Sequence, residues 1–136
     1  MRWPILPYLA KFWLPEPMQK SILIVDDDAG IRRLLGVMLQ RQSFETDEAS
    51  NGLEAMERIR ARRYDAIVLD LMMGPGSGFD VLDQLKKLRD DRCVVVLSAS
   101  SERTIREADG PNVFARIRKP FDVSQLLDQI NECCQV

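Results

Sequence analysis

From Ser21 onward the chain alternates short, unbroken apolar runs with segments whose apolar residues recur every three or four positions. The runs Ile22 to Val25, Ala66 to Leu69 and Cys93 to Leu97 are aliphatic or β-branched and lack polar alternation, which predicts strands covered on both faces. Phe44 to Ala49 and Val113 to Ile117 are weaker strand candidates. Between the runs, Ile31, Leu34, Leu35 and Met38 fall on one helical stripe. Leu53, Met56 and Ile59 mark a second helix with Asn51 as a candidate cap, and Val81, Leu82, Leu85 and Leu88 mark a third. Glu102 to Asp109 is weakly amphipathic, and Val123, Leu126, Leu127, Ile130 and Cys133 form the cleanest stripe. Strand followed by helix, repeated along the chain, predicts right-handed crossovers and an α/β, doubly wound parallel sheet. Its strand C-termini open into one crevice where ligands bind.

The 136 residues suffice for one domain, expected over 18–136. Residues 1–17, with four prolines interrupting an aromatic-rich run, read as an extension or leader without a fixed fold, and no apolar stretch is long enough to span a membrane. A formal net charge of -2 advertises no broad basic surface for nucleic acid. Histidine is absent, which excludes His triads, His proton shuttles and His-ligated metals and leaves carboxylates and carbonyls as ligands for a hard cation. Cys93, Cys133 and Cys134 are odd in number and lack metal-ligand spacing. They predict a reducing compartment, with the cysteines as small fillers and no disulfide framework.

The chemistry gathers at the strand ends. The first strand runs into Asp26, Asp27 and Asp28, the third into Asp70, the fourth ends at Ser98, and Lys119-Pro120 follows the fifth. Each feature alone has an ordinary explanation: Asp28 as a helix cap, Ser98 as another, Lys119-Pro120 as a surface turn. Their joint appearance on one rim is hard to explain by packing. Crowded carboxylates repel unless a cation or proton joins them. Mg²⁺ is the natural neutraliser, because it takes one or two carboxylates together with a phosphate oxygen. A lysine opposite supplies positive charge for a phosphoryl group.

On ILIVDDD, AIVLDLMM, the Gly78-Phe79 pair, VVVLSAS and RKPFDVSQLL, residues from about 20 to 135 resemble the receiver domain of two-component response regulators. The resemblance implies a flavodoxin-like sheet of strand order 2-1-3-4-5. It implies Asp70 as phosphoacceptor, Asp27, Asp70 and the Met72 backbone carbonyl as Mg²⁺ ligands (Mn²⁺ being an alternative ion), and Asp26 acting through metal-bound water. Lys119 resembles the phosphate-binding lysine and Ser98 the hydroxyl that moves toward the phosphoryl group. The implied partners are a sensor histidine kinase or histidine phosphotransfer protein as donor and a downstream protein. No nucleic acid is contacted directly, and the domain is a monomer or a phosphorylation-dependent dimer. A cytoplasmic, stand-alone or excised receiver is expected, one that catalyses only its own phosphorylation and dephosphorylation.

Three features depart from the family pattern. Met73, Gly74, Pro75, Gly76 replaces the usual Met-Pro-Gly order, predicting a more flexible loop. Arg116 stands three before Lys119, where an aromatic is usual, with Phe114 two residues earlier; the segment from Ser98 to Lys119 is slightly short. Two other readings stay open: a haloacid-dehalogenase-like phosphohydrolase, whose D-x-D pair Asp26 and Asp28 would satisfy, and a phosphorylation-independent pseudo-receiver. A phosphorylation-sensitive face carrying Arg103, Arg106, Arg116 and Arg118 is expected.

Overall fold

A computed structural model describes residues 19–135. The expectation for residues 1–17 lies outside the described residues. Five parallel strands stand in the order β2-β1-β3-β4-β5: β1 Ser21–Val25, β2 Glu45–Ala49, β3 Ala66–Leu69, β4 Cys93–Ser98 and β5 Val113–Arg118. Between and after them run α1 Ala29–Arg41, α2 Gly52–Ala61, α3 Gly78–Lys87, α4 Glu102–Glu107 and α5 Val123–Gln135. The doubly wound sheet and its expected order are both present.

Side chains alternate across each strand, so one apolar run feeds two cores. Leu23, Val25, Ile67, Leu69, Val94 and Val96 face one cluster under α2, α3 and α4. Ile22, Ile24, Val68, Val95 and Leu97 face the other under α1 and α5. That burial explains the unbroken apolar runs. The edge strand β2 is polar because its surroundings are: Arg62 pairs with Glu45, and Arg58 Nε donates to the Glu48 carbonyl at 2.8 Å.

The helical stripes shift where the sheet contact is narrow. Leu34, Leu88 and Val123, expected in the core, are exposed, and Leu53 is 59% exposed. In α1 the buried side is Leu35, Gly36 and Leu39, and in α2 it is Gly52, Ala55, Met56 and Ile59. A sheet-facing stripe admits the residue nearest the strands and leaves a neighbour one or three positions away outside, Leu88 lying just past the end of α3. The caps follow local chemistry: Asn51 Oδ1 accepts from the Glu54 amide, and Ser77 with Asp80 forms a reciprocal box at the start of α3. Ser101 caps α4, so Ser98 is not needed there.

The cysteine expectation is corrected. Cys93 and Cys133 form a disulfide, while Cys134 is free and buried. Forty residues separate the two, a spacing with no local signature; only the packing of α5 beneath β4 brings them together.

Candidate phosphoryl-transfer site

Main-chain pairing extends past the strand ends and aligns the candidate residues. The Asp26 amide donates to the Ala49 carbonyl, the Asp70 amide to the Val25 carbonyl at 2.9 Å, and the Lys119 amide to the Ser98 carbonyl at 2.9 Å. β1 lies between β2 and β3, so these residues flank the switch point where consecutive crossovers diverge.

The aspartate triplet divides into three roles. Asp26 is 2% exposed; its Oδ1 accepts from the Asp28 amide at 2.9 Å and its Oδ2 from Lys119 Nζ at 2.6 Å. Asp27 is exposed. Asp28 turns away to cap α1, its Oδ1 accepting from the amides of Gly30 and Ile31 at 2.8 and 3.2 Å. The second acid of the D-x-D pair is thereby committed to a helix end, which removes the main support for the phosphohydrolase alternative.

Asp70 is 6% exposed, with Oδ1 accepting from the Leu71 amide at 2.9 Å and Oδ2 lying 3.9 Å from Lys119 Nζ. One carboxylate oxygen from each of Asp26, Asp27 and Asp70 lies within 4.8 Å of the others. Burial, reinforced by the Asp26 charge, raises the Asp70 pKa above the ordinary carboxylate range; Lys119, the Ser98 hydroxyl and the Leu71 amide offset it in part. The upward shift, owed first to burial, thus persists beside the lysine. An all-oxygen donor set with excess negative charge is what a hard divalent cation satisfies, so the residues present fit Mg²⁺. Met72 lies in the β3–α3 connection, its side chain turned out to solvent.

Ser98 is fully buried at the end of β4 and its hydroxyl donates to Ser100 Oγ at 3.0 Å. Lys119 Nζ therefore meets both aspartates, while Ser98 faces the same crevice from the next strand. Arg116 does not hang free. Its Nε donates to the Ala108 carbonyl at 2.8 Å, at the end of α4, and its Nη2 lies 3.3 Å from Asp109 Oδ1. Phe114 is exposed two residues earlier.

Two supporting contacts escaped the sequence reading. Arg32 Nη1 donates to the Asp26 carbonyl at 2.7 Å and its Nε to Glu48, holding the loop from outside. Its only sequence signal is a position one turn into α1. Gly76 has φ +81°, and its carbonyl accepts from the Gly52 amide at 2.9 Å, so the loop expected to be flexible is pinned to the start of α2. Gly78 is required for a different reason: a Cβ there would sit 2.2 Å from the Asp70 carbonyl oxygen.

The response regulator receiver domain profile matches residues 22–131. Sporulation initiation phosphotransferase F of Bacillus subtilis is 30% identical over 116 residues, 85% of this chain and 94% of that protein. Transcriptional regulatory protein SrrA of Staphylococcus aureus is 44% identical over 111 residues, 81% of this chain, which spans about half (46%) of that longer protein. The response regulator TrrA of Thermotoga maritima, solved in complex with Mg²⁺-BeF, superposes with a TM-score of 0.76 at 30% identity, covering 85% of this chain and 99% of that one.

Proposed function

This chain belongs to the response regulator receiver domains, which are phosphoacceptor domains of two-component signalling, and we propose that Asp70 is its phosphoacceptor, with Asp26, Asp27, Lys119 and Ser98 completing the site. The observation that carries the assignment is the buried Asp70 carboxyl at the end of β3, with Lys119 Nζ 3.9 Å away and the oxygens of Asp26 and Asp27 within 4.8 Å.

Transfer to an aspartate through a loose, in-line transition state needs positioning and charge neutralisation more than acid–base chemistry. The Leu71 amide holds Asp70 Oδ1, leaving Oδ2 on the Lys119 side to attack phosphorus. The leaving group is the imidazole nitrogen of a phosphohistidine on a kinase or phosphotransfer partner, since this chain has no histidine. Lys119 then exchanges part of its contact with Asp26 for an equatorial phosphoryl oxygen. Ser98 gives up its hydrogen bond to Ser100 and donates to another. Asp27 and Asp70, the Met72 carbonyl, and Asp26 through water are the groups that would hold Mg²⁺ or Mn²⁺, which supplies neutralisation between carboxylates and phosphoryl oxygens. Hydrolysis of the acyl phosphate resets the domain.

Movement of Ser98 and Ser100 pulls on the loop before α4, and Arg116 couples the far end of α4 to β5. The α4–β5 face carrying Arg103, Arg106, Arg116 and Arg118 is accordingly the surface that signals to a downstream protein, with no direct nucleic-acid contact, the domain acting as a monomer or a phosphorylation-dependent dimer. No helix among the described residues is long and apolar enough to cross a membrane; a cytoplasmic site of action fits this chemistry. The test is phosphate-affinity electrophoresis after acetyl phosphate and Mg²⁺. The wild type gives a retarded band and Asp70→Asn gives none. A band surviving in Asp70→Asn overturns the assignment, and no band in the wild type favours the pseudo-receiver.

A further inference from the structure

Cys93 opens β4 and Cys133 lies near the end of α5, and their disulfide bridges a sequence separation of 40 residues. The segment between them holds Ser98, α4, β5 and Lys119, so the bond ties together both ends of a stretch that supplies two residues of the crevice. Cys133 is 1% exposed, whereas Cys93 is only half-buried. A cleft of about 130 Å³ is lined by both cysteines with Arg63, Asp65, Asp91 and Arg92. Its wall charges oppose one another, Arg63 meeting Asp91 at 2.7 Å, so a small thiol is neither drawn in strongly nor repelled. Cys134 is no rival: burial, with Asp65 adding to it, pushes its thiol up to about 11, leaving it protonated and inert near neutral pH. The two apolar clusters already sandwich the sheet, so the domain does not depend on a crosslink as small disulfide scaffolds do.

We propose that Cys93 and Cys133 form a reversible thiol–disulfide site, addressed through this cleft by a dithiol reductant. The reductant's thiolate attacks Sγ of Cys93, the more exposed of the two residues; the S–S bond breaks and Cys133 leaves as a thiolate that takes up a proton. The reductant's second thiol then attacks its own sulfur in the mixed disulfide, Cys93 is released and protonated, and the reductant departs as a cyclic disulfide. Two electrons and two protons pass to the protein. Reduction frees the start of β4 from the end of α5 and loosens the α4–β5 segment between them.

The whole chain is oxidised with glutathione disulfide, then treated with dithiothreitol without denaturant, and samples are alkylated in denaturant and weighed. One alkylated cysteine before reduction, three after it, and one again on reoxidation are expected. Reduction is expected to lower Tm by roughly 10 °C, from the length of loop released, and to accelerate amide exchange over 102–118. Cys93→Ser matches reduced wild type in both and does not respond to dithiothreitol. Three alkylated cysteines in the oxidised sample, a disulfide that dithiothreitol opens only in denaturant, or unchanged exchange over 102–118 after reduction each overturn the proposal. The wild-type mass series decides even if the variant fails to fold.

Discussion

At Asp70 two effects push one carboxyl the same way, burial first and the Asp26 charge second. The sign of the pH dependence follows. Because the folded-state pKa lies above the unfolded value, there is a window in which folded Asp70 holds a proton that the unfolded chain has lost. Ionised Asp70 therefore subtracts from stability above that window, and the penalty fades as pH falls through it. In metal-free buffer, Asp70→Asn is expected to raise Tm by a few degrees near neutral pH, with the gain shrinking toward about pH 4, where the unfolded carboxyl also protonates. Melts of the two proteins across pH check this; a gain that grows on acidification would contradict it. Asp70 and Asp26 could be singled out from the sequence because each follows an apolar strand, and Lys119 because it follows the weaker fifth strand at the same rim. That Lys119 sits 2.6 Å from Asp26 but 3.9 Å from Asp70 could not, because side-chain choice between two acids depends on loop placement.

At the scale of elements, α1 and the β1–α1 loop show one triplet divided by geometry. Asp28 caps the helix and Asp26 and Asp27 face the crevice. Asp28→Ala should cost about 1 kcal/mol of stability, the usual worth of an N-cap, while acetyl phosphate labelling at Asp70 persists. Denaturant unfolding and phosphate-affinity gels on one variant separate the two roles: loss of labelling at retained fold would make Asp28 part of the site. At α4 and β5, beryllofluoride with Mg²⁺ should move the amide resonances of Arg103, Arg106, Arg116 and Arg118, since Arg116 links the end of α4 to the sheet. Shifts confined to the residues around Asp70 would remove this face as the output. Four helices were legible from their stripes, whereas α4 was only weakly amphipathic in sequence and buries Ile105 alone; Leu34 and Leu53 lie outside the buried side, where the sheet leaves the flank of the helix in water.

For the molecule as a whole, the cation site proposed in the acidic crevice would couple ion binding to folding. A cation that binds only the native arrangement stabilises it by about 2.7 kcal/mol at a hundredfold excess over its dissociation constant. Mg²⁺ titration is therefore expected to raise Tm of the wild type and to raise that of Asp70→Asn much less. Equal shifts in the two proteins would mean that the ion binds elsewhere.

What the chain declares by itself is periodicity. Unbroken apolar runs require strands buried on both faces, regular stripes require covering helices, and that alternation places Asp26, Asp27, Asp70, Ser98 and Lys119 on a common rim. Contacts made between distant segments belong to the tertiary structure alone: the Cys93–Cys133 bond, Arg32 Nε donating to Glu48, Gly76 seated on Gly52. Local pattern encodes which face of a residue is buried, whereas a pairing across the sheet depends on distances that only the packed layers set.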